Sequence, residues 1–284
     1  MNIIELTLEH KDILYNDLRS VDTKISEYSF SNLYLFRERH KYKLLENNNN
    51  YILGTTFDNI EYIMPAFDLT ITGAEEICTL AKELKKIIFP VDEKWLELFK
   101  NFNTKVWCEE ADRDYIYTLE KMCTYKGRKL HKKRNLLKQF IQNYSHTAKP
   151  LIKEEVDNAK IILDEWINDS GMDIIETDYY PCLEALNLLD TLVLCGIIYY
   201  VDNKPAGFIL GEEIHADTFA IHFAKANKKY KGIYQFMYNN FAKILPKKYT
   251  YLNFEQDLGQ IALKITKSSY IPDLLLNKYR IDFL

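Results

Sequence analysis

No CxxC pair occurs in the chain, and its five cysteines, Cys78, Cys108, Cys123, Cys182 and Cys195, are odd in number and widely spaced. Zinc motifs and redox dithiols are therefore unsupported, and free thiols fit a reducing cytoplasm. The six histidines form no cluster with metal-ligand spacing, so no metal site is expected. No Gly-rich P-loop and no Rossmann fingerprint is present. The longest apolar stretch, Thr191–Val201, is bounded by Asp190 and Asp202. It falls short of the roughly 18–20 residues of a membrane span, so no transmembrane segment is expected. Met1–His10 holds Glu5, Glu9 and His10 and has no basic start before an apolar run. It does not read as a signal peptide, and a cytoplasmic location is expected. A surplus of basic charge is also missing. The formal net charge is −4, so any contact with nucleic acid must come from a local patch.

Apolar residues make up 47% of the chain and aromatic residues 14%, enough for packed cores. At roughly 100–200 residues per domain, the 284 residues predict two domains. The first half reads as mixed α/β. Ile4–Leu18 is helical in part. Tyr51–Phe57 and Ile60–Pro65 read as a hairpin turning at Asp58-Asn59. The apolar spacing predicts a helix over Ala74–Ile88 and another over Trp95–Phe99. Tyr115–Leu119 reads as a strand.

The run Lys121–Lys138 contains Lys126, Arg128, Lys129, Lys132, Lys133 and Arg134 and no acidic residue. The composition shift places a boundary between domains 1–124 and 125–284. Either the run contacts the phosphates of RNA or anionic lipid, or it is a solvated linker helix.

Beyond it, a short strand near Lys149–Ile152 precedes helices over Glu154–Asp169 and Pro181–Thr191. Then come strands Cys195–Val201, Ala206–Ile214 and Thr218–Ala224, a helix Gly232–Leu245 and a strand Tyr249–Phe254. The apolar residues on both faces of Thr218–Ala224 predict a central strand. Antiparallel strands followed by a strand–helix–strand crossover give an α/β fold with a mixed sheet.

Two segments carry chemistry. Lys225–Gly232 precedes a helix start and holds Lys225, Lys228, Lys229 and Lys231. A helix N-terminus presents unpartnered N–H groups and partial positive charge, and Gly232 permits close approach, a combination that suits phosphate. The alternative is a solvated surface loop. In the second segment, Glu255 ends a sheet strand on the face of Tyr251 and Asn253. Sites in open α/β sheets form there, and its carboxylate could accept a proton from an attacking amine. Asp257 and Gln260 have the spacing of a helix capping box. Lys267 could supply a charge and Tyr270 a proton, although composition alone puts both at the surface. His222 shares a face with two alanines and is expected to be a packed residue.

The pattern GxKxHKKRNxxxxF, a central FAK, KYKGIYQ, NxEQDLG and KxSYxP, in this order, resembles one bacterial family. Its members share the C-terminal domain of phosphatidylglycerol lysyltransferase. That domain is two tandem GNAT-like folds, related to the Fem aminoacyltransferases. The resemblance covers nearly the whole chain. It implies an α/β (α+β) protein with two GNAT-like domains, each a mixed, mainly antiparallel sheet flanked by helices. Asn253–Gly259 matches the family's NREQDLG, except that Phe254 replaces the usual Arg. Lys267, Ser269, Tyr270 and Pro272 match KxSYxP, while Ala262 and Lys264 replace a usual Gly and Arg.

The resemblance implies that the second domain binds a donor, aminoacyl-tRNA or acyl-CoA, through Phe223, Lys225, Lys231, Gly232, Ile233 and Tyr234. Glu255, Tyr270 and Lys267 would then be catalytic. The first domain, lacking a basic turn, would have a degenerate donor site. The competing expectation is a tandem GNAT protein without catalysis that binds a nucleotide-like ligand or RNA.

Overall fold

The computed structural model describes residues 1–284. The chain forms two compact units. Met1–Asp114, Gln256–Lys264 and Leu275–Leu284 make the first, and Tyr115–Glu255 with Ile265–Leu274 the second. The change of unit at Asp114 precedes the expected boundary at residue 124, and the chain's end returns to the first unit. Composition registers neither feature, because membership is decided by pairing between residues far apart in sequence.

The first unit contributes strands β1 (Asn2–Glu5), β2 (Lys43–Glu46), β3 (Asn50–Thr55), β4 (Glu61–Pro65), β5 (Ile87–Val91) and β6 (Thr104–Cys108). The second sheet is built from β7 (Asp114–Thr118), β8 (His146–Pro150), β9 (Cys195–Val201), β10 (Lys204–His215), β11 (Thr218–Ala226), β12 (Tyr251–Asn253) and β13 (Leu274–Leu276). The last strand, β14 (Tyr279–Phe283), belongs to the first sheet. Each sheet has seven strands, ordered β1-β2-β3-β4-β5-β14-β6 and β13-β7-β12-β11-β10-β9-β8. The β4–β5 and β11–β12 pairs are parallel. The other pairings that fix the sheets, such as β3–β4 and β10–β11, are antiparallel. The fold is thus mixed α/β with two mainly antiparallel sheets and flanking helices.

The helix expected over Ala74–Ile88 is shorter, Glu75–Leu84, and stops at Lys85 in the left-handed conformation (φ 53°). Ile87 and Ile88 instead begin β5, whose five residues are all buried. Their apolar side chains continue the helical spacing and so disguise the change of element. Trp95–Phe99 lies in a 3-10 helix, Glu93–Phe99. Ile4–Leu18 divides into the end of β1, a 3-10 turn and a helix, Lys11–Ser20. The basic run holds two helices, Leu119–Thr124 and His131–Asn143, rather than one. In the second unit, a helix Val156–Ser170 ends at Gly171 in the left-handed conformation, and another covers Tyr179–Asn187.

The crossover from β11 to β12 runs through the helix Ile233–Ile244. Its inner face (Ile233, Phe236, Met237 and Phe241) joins Phe140, Tyr199, Phe219 and Leu252 in the core of the second unit. β11 lies between β10 and β12, as its two apolar faces require. No helix of the protein is long and apolar enough to cross a membrane.

Candidate functional site

The strongest polar constellation of the second unit centres on His222. Its side chain is fully buried, with Nδ1 2.7 Å from Glu255 Oε1 and Nε2 2.9 Å from Glu212 Oε1. A bulge makes this possible. β10 and β11 pair Leu210 with Phe223 but Gly211 with Ile221, so His222 is the extra residue. Bulges re-aim side chains, and here the imidazole meets carboxylates on two sides. Gly211 completes the device: a Cβ there would stand 1.9 Å from the Ala220 carbonyl oxygen.

Burial lowers the affinity of the ring for its proton. The Glu255 and Glu212 carboxylates outweigh it and raise the pKa to about 10. His222 is therefore an imidazolium at neutral pH, and both ring nitrogens donate. It serves as a fixed charge rather than a base. Counting Glu212 and Glu255 as carboxylates, the triplet carries one net negative charge.

Glu212 is buried, while the Glu255 side chain keeps 14% of its exposure, so the triplet opens at Glu255. Glu255 has φ 59°, an uncommon conformation for a residue other than glycine. Its N–H donates to Asn253 Oδ1, and Lys267 Nζ donates to its carbonyl oxygen at 3.2 Å. Glu255 and Lys267 thus come together as the sequence suggested, with His222 and Glu212 as partners the sequence did not indicate.

Tyr270 is placed differently. Only 2% exposed, it sits in an aromatic cluster with Tyr117, Tyr125, Tyr238 and Phe254, and its hydroxyl accepts from Gln235 Nε2 at 2.9 Å. Burial raises its pKa, which makes it a poorer proton donor.

The basic turn is more packed than its sequence suggests. Lys225 lies within β11 and is buried, with Nζ 2.5 Å from Asp178 Oδ1 and 3.6 Å from the centroid of the Trp166 ring. Its charge is already matched. The Ile233 N–H donates to the Tyr230 carbonyl, and the Lys231 N–H to the Tyr144 hydroxyl. Phe223 is buried against His222, and burial pushes the Tyr234 hydroxyl up to about 12. Lys228, Lys229 and the Lys231 side chain remain in solvent.

Gly232, at φ +91°, answers to a neighbouring helix rather than to space for a ligand: a Cβ would stand 2.3 Å from the Leu136 carbonyl oxygen. Gly232→Ala is expected to destabilise the protein by about 1–3 kcal/mol. Urea denaturation checks this, and an unchanged midpoint would rule out the close helix contact.

Of the basic run, Lys126, Arg128, Lys129 and Lys132 are exposed. Arg134 instead binds the Tyr125 and Gly127 carbonyl oxygens with one Nη. Asp257 accepts from the Gly259 N–H at 2.9 Å, closing a turn in place of the expected capping box.

Residues 18–282 match the family described as phosphatidylglycerol lysyltransferase, C-terminal. The chain belongs to this family. A conserved protein of unknown function from Bacteroides thetaiotaomicron has a similar fold (TM-score 0.84, 24% identity, 100% of both chains covered). So does the C-terminal domain of a putative lysylphosphatidylglycerol synthetase from Agrobacterium fabrum (TM-score 0.64, 12% identity, 97% of this chain and 92% of that one). FemX also shares it, with TM-score 0.60 and 9% identity over 100% of this chain and 98% of that one. An uncharacterised protein of Mycoplasmoides gallisepticum is 26% identical over 179 residues, 62% of this chain but 58% of that protein's length.

Two departures from the pattern of this lysyltransferase family acquire places. Phe254 is buried, its ring centroid 4.6 Å from that of Tyr117 and 4.8 Å from that of Tyr238. Lys264 is exposed and pairs with Glu110 at 2.9 Å. Phe254 is a core residue here, so it offers no charge to a ligand.

Proposed function

We propose that the protein is an acyl- or aminoacyltransferase whose second unit presents an amine to the Glu255 carboxylate. The Glu212–His222–Glu255 triplet carries this reading. The imidazolium of His222 is clamped between two carboxylates and is offset by Glu212, which leaves the negative charge of the triplet on the partly open Glu255. Such a group suits an ammonium, either that of an acceptor amine or the α-ammonium of an aminoacyl group. In the transfer, the amine nitrogen bonds to the acyl carbon and the ester C–O or thioester C–S bond breaks. The amine proton passes to Glu255 or solvent and on to the departing oxygen or sulfur. With His222 already charged, Glu255 acts first as an orienting acceptor. Lys267 fixes the backbone that aims it, and Tyr270 serves as a packed wall. The donor is phosphate-bearing, aminoacyl-tRNA or acyl-CoA. Membership of a lysyltransferase family favours the aminoacyl ester, and in this reading the exposed Lys126, Arg128, Lys129 and Lys132 would meet its phosphates.

A thermal-shift screen with acetyl-CoA, longer acyl-CoAs and aminoacyl-tRNA names the donor class, because a ligand that binds the folded state raises its apparent stability. With that donor, Glu255→Gln is expected to lower transfer about 100-fold. The amide oxygen can still accept from His222, so circular dichroism should show an intact fold. Unchanged turnover would sink the role of Glu255. Phe254 and the withdrawn Lys225 favour a second reading, a protein that binds such a donor without transferring its acyl group. Stabilisation with no turnover would support that one.

A further inference from the structure

We propose that Lys133 is a site of covalent acylation, its amine attacking thioesters or aminoacyl esters to leave an amide on Nζ. Lys133 lies in the first turn of the helix His131–Asn143 and is half-buried. Its Nζ donates to Ser269 Oγ at 2.6 Å and stands 3.8 Å from the centroid of the Tyr270 ring. Both partners are held in place. The Ser269 hydroxyl donates to the Thr266 carbonyl, and the Tyr270 hydroxyl accepts from Gln235.

What the ammonium lacks is a carboxylate. Other withdrawn lysines of the chain have one: Lys121 meets Asp273, Lys225 meets Asp178, and Lys278 meets Glu27 and Asp114. Around Lys133, the segment after the helix Ile261–Ser268 supplies Ser269 and Tyr270. The helix Ile233–Ile244 supplies Gln235, which holds Tyr270. On its own helix the neighbours are His131, Lys132 and Arg134.

A cation withdrawn from water without an anion gives up its proton readily. Burial accordingly lowers the Lys133 pKa to about 8. The Tyr270 ring face returns part of that to the ammonium, but a ring quadrupole is weaker than a carboxylate. At pH 7.5 roughly a quarter of Lys133 is free amine, against about one in a thousand for an ordinary lysine. Lower basicity weakens the nitrogen as a nucleophile, which leaves a net advantage of about tenfold.

In the reaction the neutral nitrogen attacks the carbonyl carbon. A C–N bond forms, and the C–S or C–O bond breaks. The nitrogen's proton leaves with the thiolate or alkoxide as thiol or alcohol, and no oxidant or reductant takes part. The amide formed at Nζ is uncharged, so acylation removes the unmatched ammonium from its half-buried place. A protein that handles activated esters, as proposed above, would meet such reagents in use. The reaction at Lys133 needs neither Glu255 nor recognition of a phosphate.

The test is timed acetylation of the full chain by the small thioester S-acetyl-N-acetylcysteamine, read by peptide mass mapping. At pH 7.5 Lys133 is expected to react about tenfold faster than Lys132, its exposed neighbour on the same helix. In the folded protein the ratio should fall below one above pH 10, where the more basic Lys132 is the stronger nucleophile, and it should approach one at any pH in urea-unfolded chain. Lys133→Arg should abolish the fast phase and leave the Lys132 rate unchanged. Equal rates for Lys133 and Lys132 at pH 7.5 in the folded protein would overturn the proposal. The reagent carries no phosphate, so that failure would leave the transferase reading intact. Conversely, fast acetylation of Lys133 in Glu255→Gln would stand even if no donor gave turnover.

Discussion

Replacing Lys278 with methionine is expected to cost about 3–5 kcal/mol of stability at pH 8. Lys278 is fully buried in the first unit, its Nζ 2.6 Å from Glu27 Oε2 and 2.7 Å from both Asp114 Oδ1 and Gln256 Oε1. Methionine fills the space of the stem but strands two buried carboxylates, and an unpaired buried charge costs far more than the pair contributes. The defect should shrink with acid. Burial, helped by Asp114 and opposed by Lys278, already raises the Glu27 carboxyl to about 7 from its ordinary 4.5. An acid whose folded pKa lies above its unfolded one binds protons more tightly when folded, so its penalty fades as pH falls. Without Lys278 the opposing pull is gone and the recovery should be steeper. Urea unfolding of both proteins at pH 8 and pH 5 measures this. A variant within about 1 kcal/mol of the parent at pH 8 would contradict the buried pairing.

His222 gives the second large effect, with a pH dependence of the same sign in a more alkaline window. Its folded pKa of about 10 lies above the ordinary 6.5. The stabilisation from the charged ring is complete below about pH 6.5 and is lost as pH rises toward 10. A difference of this size corresponds to something on the order of 3–5 kcal/mol. In His222→Gln the amide has no proton to lose, so the decline between pH 7 and 10 should flatten relative to the parent. Nitrogen-detected NMR of the ring is the direct check. Both ring nitrogens should carry protons at pH 8, and a neutral ring there would dismantle the triplet as described.

The contrast between these two networks and the sequence is instructive. The strands of the β9–β10–β11 meander alternate plainly, and Thr218–Ala224, with two apolar faces, could only be central. The crossover helix announces itself by Ile233, Phe236, Met237 and Phe241. Glu255 was legible because it lies just beyond a strand end, two residues past β12. Glu212 was not, because its meeting with His222 depends on a one-residue bulge, and no pattern of types reveals a bulge. The adjacent Gly211 was the available signal: a glycine inside an apolar strand often marks a bulge. The basic turn misled for the reverse reason. Lysine in a strand and lysine in a turn look alike until Asp178 and Trp166, distant in sequence, close around one of them. The first unit hid its seventh strand for the same reason, since nothing local pairs Tyr279–Phe283 with residues near 90 and 106.

That seventh strand sets a timetable for synthesis. β5 and β6 are made well before β14, yet β14 lies between them and carries Arg280, whose guanidinium meets Asp58 and Asp112. Until Tyr279–Phe283 leaves the ribosome, both flanking strands have an unfilled edge and both aspartates lack their cation. The second unit has by then been synthesised almost entirely. The unit that begins first is therefore the one that finishes last, and its open edges are a nascent chain's point of exposure to mispairing and to chaperones.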